Sequence, residues 1–314
     1  MSGDQPDQES NLELKAVILF GILSVLITAC SEQSSQSAKT DEEPQRVAVI
    51  GPAIAEIMDK LDLLDCIAGL GEFGPWPEPI SGLPVVGDYD SPNVEQVLLL
   101  DIDTVFNIQS QAAMAAHDRL RSLGIRVVEL DTSTFEGVFH TIETLGDIFN
   151  RDAAATQLVT SIRDELAEIE RQAQGLERRR VLFVVGGSPT YLAGPGSHID
   201  RLIRLTGGEN VAYDALSPYQ QLSLETVLER QPEVIIDASD NRPAATRGRQ
   251  TGSWGRWSFL PAVRNERVYW VHPSRLVIPG IRLPEMARLM GKFIHPEVFG
   301  EPSPAEYHEY EYRS

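Results

Sequence analysis

The chain has 314 residues, 42% of them hydrophobic and 23% charged, an ordinary globular composition that is long for one core and suits two modest lobes. A formal charge of −19 argues against nucleic acid and anionic membrane surfaces as partners, since both attract basic faces. Two cysteines, Cys30 and Cys66, build neither a disulfide framework nor a cysteine-based metal site.

Val17 to Ile27 is an apolar run of about 11 residues, too short to span a bilayer and the right length for a signal-peptide core. It continues through Thr28-Ala29 into Cys30 and resembles a bacterial lipobox, with Cys30 as the lipidation site. Residues 1–30 therefore read as a lipoprotein signal peptide, and the exported protein as lipid-anchored in the cell envelope. Asp4, Asp7, Glu9 and Glu13 oppose Lys15 alone ahead of this core, so initiation near Leu12 is expected. Residues 31–45 are polar and aperiodic, a flexible tether.

Order is expected from Arg46-Val-Ala-Val-Ile-Gly51, a strand stopped by glycine. A helix follows over Ala53 to Leu64, a strand over Cys66 to Gly71, and a proline-rich surface loop through Pro84. Asn93 to Leu100 predicts a helix, Thr104 to Ile108 a strand, Ala112 to Leu123 a helix and Arg126 to Leu130 a strand. This alternation argues for a parallel sheet with helices on both faces, the amino-terminal lobe of residues 46–132. Residues 133–177 have helical period. Leu158, Ile162, Leu166 and Ile169 fall on one stripe, and a helix from Arg151 to Gln174 would run about 36 Å, a rigid strut between lobes. The second lobe, residues 178–298, restarts with a strand at Arg180 to Gly186. Helices at His198–Leu205 and Leu224–Glu229, strands at Val234–Ile236 and Arg267–Val271, and a helix at Leu283–Phe293 follow. Residues 299–314, rich in Pro, Glu and Tyr, read as a disordered tail.

One pattern occurs twice. Tyr89 precedes Glu95-Gln-Val-Leu by the spacing at which Tyr219 precedes Glu225-Thr-Val-Leu, and the offset between copies, about 130 residues, is the same for both anchors. Two similar halves, each offering an aromatic and a carboxylate in one register, point to two lobes facing one ligand. Four aromatics, Phe73, Tyr89, Tyr191 and Tyr219, are expected in loops after strands, where open α/β sheets meet ligands. Each alone is a plausible packing residue; as a set they predict a cleft that stacks on a large planar or bulky ligand. Glu95 and Glu225 each open a short helix, where the helix dipole already favours a carboxylate. Their duplication predicts one docking charge per lobe.

Arg46-Val-Ala-Val-Ile-Gly-Pro-Ala-Ile-Ala-Glu-Ile57, Leu83-Pro-Val-Val-Gly-Asp-Tyr89, Ala193-Gly-Pro-Gly-Ser197, Thr206-Gly-Gly-Glu-Asn-Val211 and Ile294-His-Pro-Glu297 occur in that order. Together, behind the lipobox, they resemble the periplasmic-binding proteins of vitamin B12/iron-siderophore ABC importers over residues 45 to 298. The resemblance implies an α/β fold of two Rossmann-like lobes with mostly parallel sheets, joined by one long rigid helix (the class III, helical-backbone fold), as a monomer that moves little on binding. It also implies partners: a permease dimer with its ATPase, and a small-molecule metal chelate. The cobalamin branch carries aromatics at the positions of Phe73, Tyr89, Tyr191 and Tyr219 and docking glutamates at those of Glu95 and Glu225. Haem-binding relatives place a ligating tyrosine where this chain has Asp88, and siderophore receptors use arginines, for which Arg275 and Arg282 are candidates.

Catalysis finds little support. Gly186-Gly-Ser-Pro and Gly194-Pro-Gly-Ser lack the Lys-Ser/Thr of a P-loop, Ser188 lacks a nucleophile elbow, and Asp237 and Asp240 near Arg242 come with no nucleophile–base pair. His117, His140, His198, His272, His295 and His308 are scattered without a second ligand at metal spacing, so no protein metal site or cofactor is expected. The expectation is a non-enzymatic, lipid-anchored periplasmic substrate-binding protein for cobalamin or a related corrinoid. A ferric siderophore or haem is the alternative ligand, and a surface sensor or adhesin the alternative class.

Overall fold

The structure, a computed structural model, describes residues 43–186, 191–239 and 252–307. The expected signal peptide with Cys30 and nearly all of the expected tether lie outside the described residues. Pro44 onward belongs to one unit. It begins where the backbone N–H groups of Gln45 and Arg46 donate to Asp103 Oδ2, both at 2.9 Å.

Its elements are β1 (Val47–Ile50), α1 (Pro52–Lys60), β2 (Ile67–Leu70), α2 (Val94–Leu99), β3 (Thr104–Ile108), α3 (Met114–Ser122), β4 (Arg126–Leu130), α4 (Phe135–Ile148) and α5 (Asp152–Ala173). The second half adds β5 (Arg179–Gly186), β6 (Tyr191–Ala193), α6 (His198–Leu205), β7 (Gly208–Asn210), β8 (Tyr219–Gln221), α7 (Leu224–Glu229) and β9 (Val234–Asp237). It closes with α8 (Pro261–Arg264), β10 (Val268–Trp270), α9 (Pro273–Leu276), α10 (Leu283–Ile294), α11 (Pro296–Phe299) and α12 (Pro304–Tyr307).

The first sheet is parallel throughout, in the order β2-β1-β3-β4. All four residues of β1 are buried, as a strand covered on both faces requires. Val47, Val49 and Phe106 face one side, and Ala48, Ile50 and Val105 the other. The second sheet is mixed, in the order β10-β9-β5-β6-β8 with β7 also on β5; β6 runs antiparallel to both β5 and β8. The expectation of two lobes with mostly parallel sheets holds. Tyr191 and Tyr219, expected in loops, instead sit on the antiparallel strands β6 and β8. Three-residue strands carry no periodicity to read; β6 forms by pairing with β5, and β8 by pairing with β6.

The predicted strut is α5, 22 residues and about 33 Å long. Asn150, at φ 53°, separates it from α4; asparagine tolerates that left-handed conformation. Val159, Ile162, Leu166 and Ile169 are buried along its inner stripe. They belong to one apolar cluster that begins in β1 and α1, passes through α4 and α5, and continues into β5, α6 and α10. The lobes therefore share a core. Three ion pairs reinforce the connection: Glu56 (α1) with Arg282, Glu136 (α4) with Arg201 (α6), and Glu165 (α5) with Arg288 (α10) at 2.6 Å. The Arg201 guanidinium also stacks over Phe135, 4.5 Å from the ring centre.

The chain end departs from expectation. Residues 304–307 form a helical turn, where Glu306 pairs with Lys292 and accepts from the Ser303 backbone N–H at 2.7 Å. A local ion pair orders what composition reads as a tail; residues 308–314 lie outside the described residues.

Candidate functional site

In the first lobe the segment after β2 brings Phe73 and Tyr89 together. The Tyr89 hydroxyl donates to the Phe73 carbonyl oxygen at 3.4 Å, and the Tyr89 ring lies half-buried against the outer cluster of that sheet. Burial raises the Tyr89 phenol above its ordinary pKa. Phe73 is 56% exposed, a large apolar face left to solvent. The turn holding Tyr89 is locked from both sides. Asp88 Oδ1 accepts from the backbone N–H groups of Asp90 and Ser91 at 2.9 and 2.7 Å and from the Ser91 hydroxyl at 2.8 Å. These bonds hold the Asp88 carboxyl below its ordinary value. From behind, Asn107 Nδ2, at the carboxyl end of β3, donates to the Tyr89 carbonyl oxygen at 3.0 Å.

In the second lobe the β6–β8 pairing sets Ala193 opposite Tyr219 and Tyr191 opposite Gln221. Both tyrosines therefore lie on one face as diagonal neighbours, within mutual reach of aromatic rings. They are 43% and 39% exposed. The Tyr219 hydroxyl lies 3.4 Å from Nδ1 of His198, a buried residue that opens α6 and whose Nε2–H donates to the Leu276 carbonyl at 3.0 Å. Burial depresses the His198 pKa, against the opposing pull of the Leu276 and Ser133 backbones. The imidazole is then neutral, and its Nδ1 accepts from the phenol. Burial also raises the Tyr219 pKa. In the sequence His198 is one of six scattered histidines; its role depends on contacts with Leu276 and with Ser133, which follows β4 at the other lobe's edge.

Both glutamates follow their tyrosine by the same route. Asn93 caps α2 by accepting from Gln96 N–H at 3.0 Å, and Ser223 caps α7 by accepting from Thr226 N–H at 3.2 Å. Glu95 and Glu225 each occupy the second helical position and are exposed. The Glu225 carboxyl is held low by its own backbone N–H and by Ser223. Leu98 and Leu99 beside Glu95, and Leu224 beside Glu225, are also exposed.

Arg275 Nη2 donates to the Ala305 carbonyl at 3.4 Å, and the residue lines a cavity of about 280 Å³ with Arg282, Arg288, Lys292 and Glu306. Arg282 turns instead to Glu56 at the junction of the lobes. Asp237 is occupied by Ser239 and by Trp254 Nε1–H at 2.9 Å; Ser188, Asp240 and Arg242 lie outside the described residues. Among the described residues no group of three or more His, Cys, Asp or Glu could hold a metal ion.

Comparison with known proteins fits this geometry. The chain is 27% identical over 306 residues to an uncharacterized ABC transporter substrate-binding lipoprotein, YvrC, of Bacillus subtilis (strain 168), covering 95% of this chain and 93% of that one. It is 25% identical over 236 residues to a vitamin B12-binding protein of Vibrio parahaemolyticus, covering 75% of this chain and 84% of that one. The crystal structure of the periplasmic haem-binding protein HutB of Vibrio cholerae shares the fold, with a TM-score of 0.70 at 21% identity over 80% of this chain and 99% of that one. The family match spans residues 47–274, from β1 through both lobes to α9. With two α/β lobes fused along one long helix and a matched aromatic set on each, this chain belongs to the periplasmic binding protein family.

Proposed function

We propose that this protein is the substrate-binding component of an ABC importer, lipid-anchored through Cys30, that captures cobalamin or a related corrinoid and delivers it to a permease. The observation that carries the reading is the matched construction of the lobes. Each presents an exposed or half-buried aromatic pair, Phe73 with Tyr89 and Tyr191 with Tyr219, and each follows its tyrosine with a capped helix bearing an exposed glutamate. Aromatic faces from two sides suit a bulky ligand that needs large contact area at low entropy cost. One carboxylate per lobe suits docking on basic loops of a two-fold symmetric partner, where charge sets orientation and association rate. Arg275 and Arg282 are the candidate contacts in the siderophore alternative, where arginines meet an anionic chelate. The protein itself changes no bonds; the metal arrives inside its chelate.

A haem-type ligand is the second reading, favoured by the fold shared with HutB. Against it, the position where haem-binding relatives carry a ligating tyrosine is Asp88, whose Oδ1 closes its own turn. Titrating the purified protein with cyanocobalamin, haemin and a ferric siderophore, followed by Trp/Tyr fluorescence, decides between them. Sub-micromolar binding of cyanocobalamin alone is expected. Binding of haemin alone moves the ligand to the second reading, and binding of none favours a sensor or adhesin on the same fold.

A further inference from the structure

Behind Tyr89 lies a line of buried polar groups that the binding reading does not use. Asn107 and His117 are both fully buried. Asn107 Nδ2 reaches two acceptors at 3.0 Å, the Tyr89 carbonyl oxygen and His117 Nε2. His117 Nδ1 reaches Glu129 Oε1 at 3.1 Å, and Glu129 Oε2 accepts from Arg121 at 2.9 Å. Donor and acceptor roles follow from chemistry. A carboxylate only accepts, so Nδ1 carries the proton of the neutral ring; Nε2 must then accept, and the Asn107 amide supplies both hydrogens. Asn107 Oδ1 is left buried with no hydrogen bond.

This arrangement has a built-in alternative. A second proton on His117 makes Nε2 a donor, which cannot face an N–H. The amide must turn its vacant Oδ1 toward the ring, and that oxygen then also faces the Tyr89 carbonyl, acceptor against acceptor. The bond holding the Tyr89 turn is lost. We propose that Asn107, His117 and Glu129 are positioning residues that clamp Tyr89 in its ligand-facing place and release it when His117 gains a proton. The part that concerns the ligand rests on the reading of Tyr89 as a cleft residue.

The charged groups around the relay are few. Glu129 comes from β4, and Arg121 and Asp118 come from the histidine's own helix, α3. Asp88 and Asp90 in the Tyr89 turn are engaged with Ser91 and Ser110, and Glu95 on α2, which packs against α3, is exposed. Of these, Glu129 alone touches the ring.

Two measurements test the clamp. The first needs no ligand: hydrogen exchange of residues 86–93 between pH 5 and 8, corrected for intrinsic rates. Protection is expected to fall in one step as pH drops. Glu129→Gln keeps an acceptor for Nδ1–H but removes the charge, and is expected to move the step to lower pH. The second titrates cyanocobalamin. Asn107→Leu, close in volume and without a donor, is expected to bind about tenfold more weakly at pH 8 and to show no step. Identical exchange profiles for the native protein and Glu129→Gln overturn the clamp, as does native-strength binding by Asn107→Leu. An intact exchange step without cyanocobalamin binding at any pH supports the clamp and overturns the corrinoid reading instead.

Discussion

The Glu56–Arg282 pair offers the sharpest test of how the lobes are joined. Glu56 is 6% exposed in α1, and Arg282 Nε lies 3.2 Å from its carboxylate while Nη2 reaches the Ser274 carbonyl at 3.4 Å. Gly280 lies so close to α1 that an added methyl would sit 3.3 Å from Ala53 Cβ, which leaves little room for water to replace a missing guanidinium. Arg282→Met keeps most of the side-chain volume and strands the buried carboxylate, for an expected loss of about 3–5 kcal/mol at pH 8. At this chain length that is on the order of 10 °C in Tm. Burial raises the Glu56 pKa despite the opposing effect of Arg282, so the folded state takes up a proton more readily than the unfolded chain. Stability from that proton is fully present below the unfolded carboxylate range and is lost as pH rises through the folded pKa. Without Arg282 the folded pKa rises further, so the penalty is expected to shrink between pH 8 and pH 5. The double variant Glu56→Met/Arg282→Met removes both charges and is expected to recover most of the loss. Thermal unfolding of the three proteins at both pH values is the assay. A cost below about 1 kcal/mol for Arg282→Met, or an equal cost at both pH values, refutes the argument, since an exposed pair would give that result.

Two further outcomes are expected. Gly87 has φ 105°, and a Cβ there would lie 2.7 Å from the Asn93 backbone N, so Gly87→Ala should destabilise the protein by at least about 1 kcal/mol and weaken ligand binding by displacing Tyr89; an unchanged melting temperature contradicts this. Glu95→Lys/Glu225→Lys, both at exposed positions, should leave ligand affinity within about twofold while abolishing stimulation of the importer's ATPase in reconstituted vesicles. Full stimulation by the double variant ends the docking proposal.

Much of the architecture was legible because it rests on local periodicity. The alternation of short apolar strands with helices gave the parallel sheet of the first lobe, and the stripe from Leu158 to Ile169 gave the long helix to within one residue at each end, although the structure buries Val159 where the stripe has the partly buried Leu158. The cap residues Asn93 and Ser223 lie next to the duplicated glutamates in the chain, so the paired helices were readable too. Less readable were β6 and β8. Neither has sequence signal of its own; β6 depends on pairing with β5, and β8 on pairing with β6.

The sequence alone determined the repeat: which aromatics and carboxylates correspond between halves, and that two α/β lobes flank one helix, since these depend on spacing along the chain. Only the tertiary structure decided the partners. Arg282 meets Glu56 across 226 residues, His198 meets Leu276 across 78, and Arg275 meets Ala305 across 30. A side chain's residue type limits what it can bond, but the acceptor it finds is set by how distant elements stack on a shared core, and no local pattern records that.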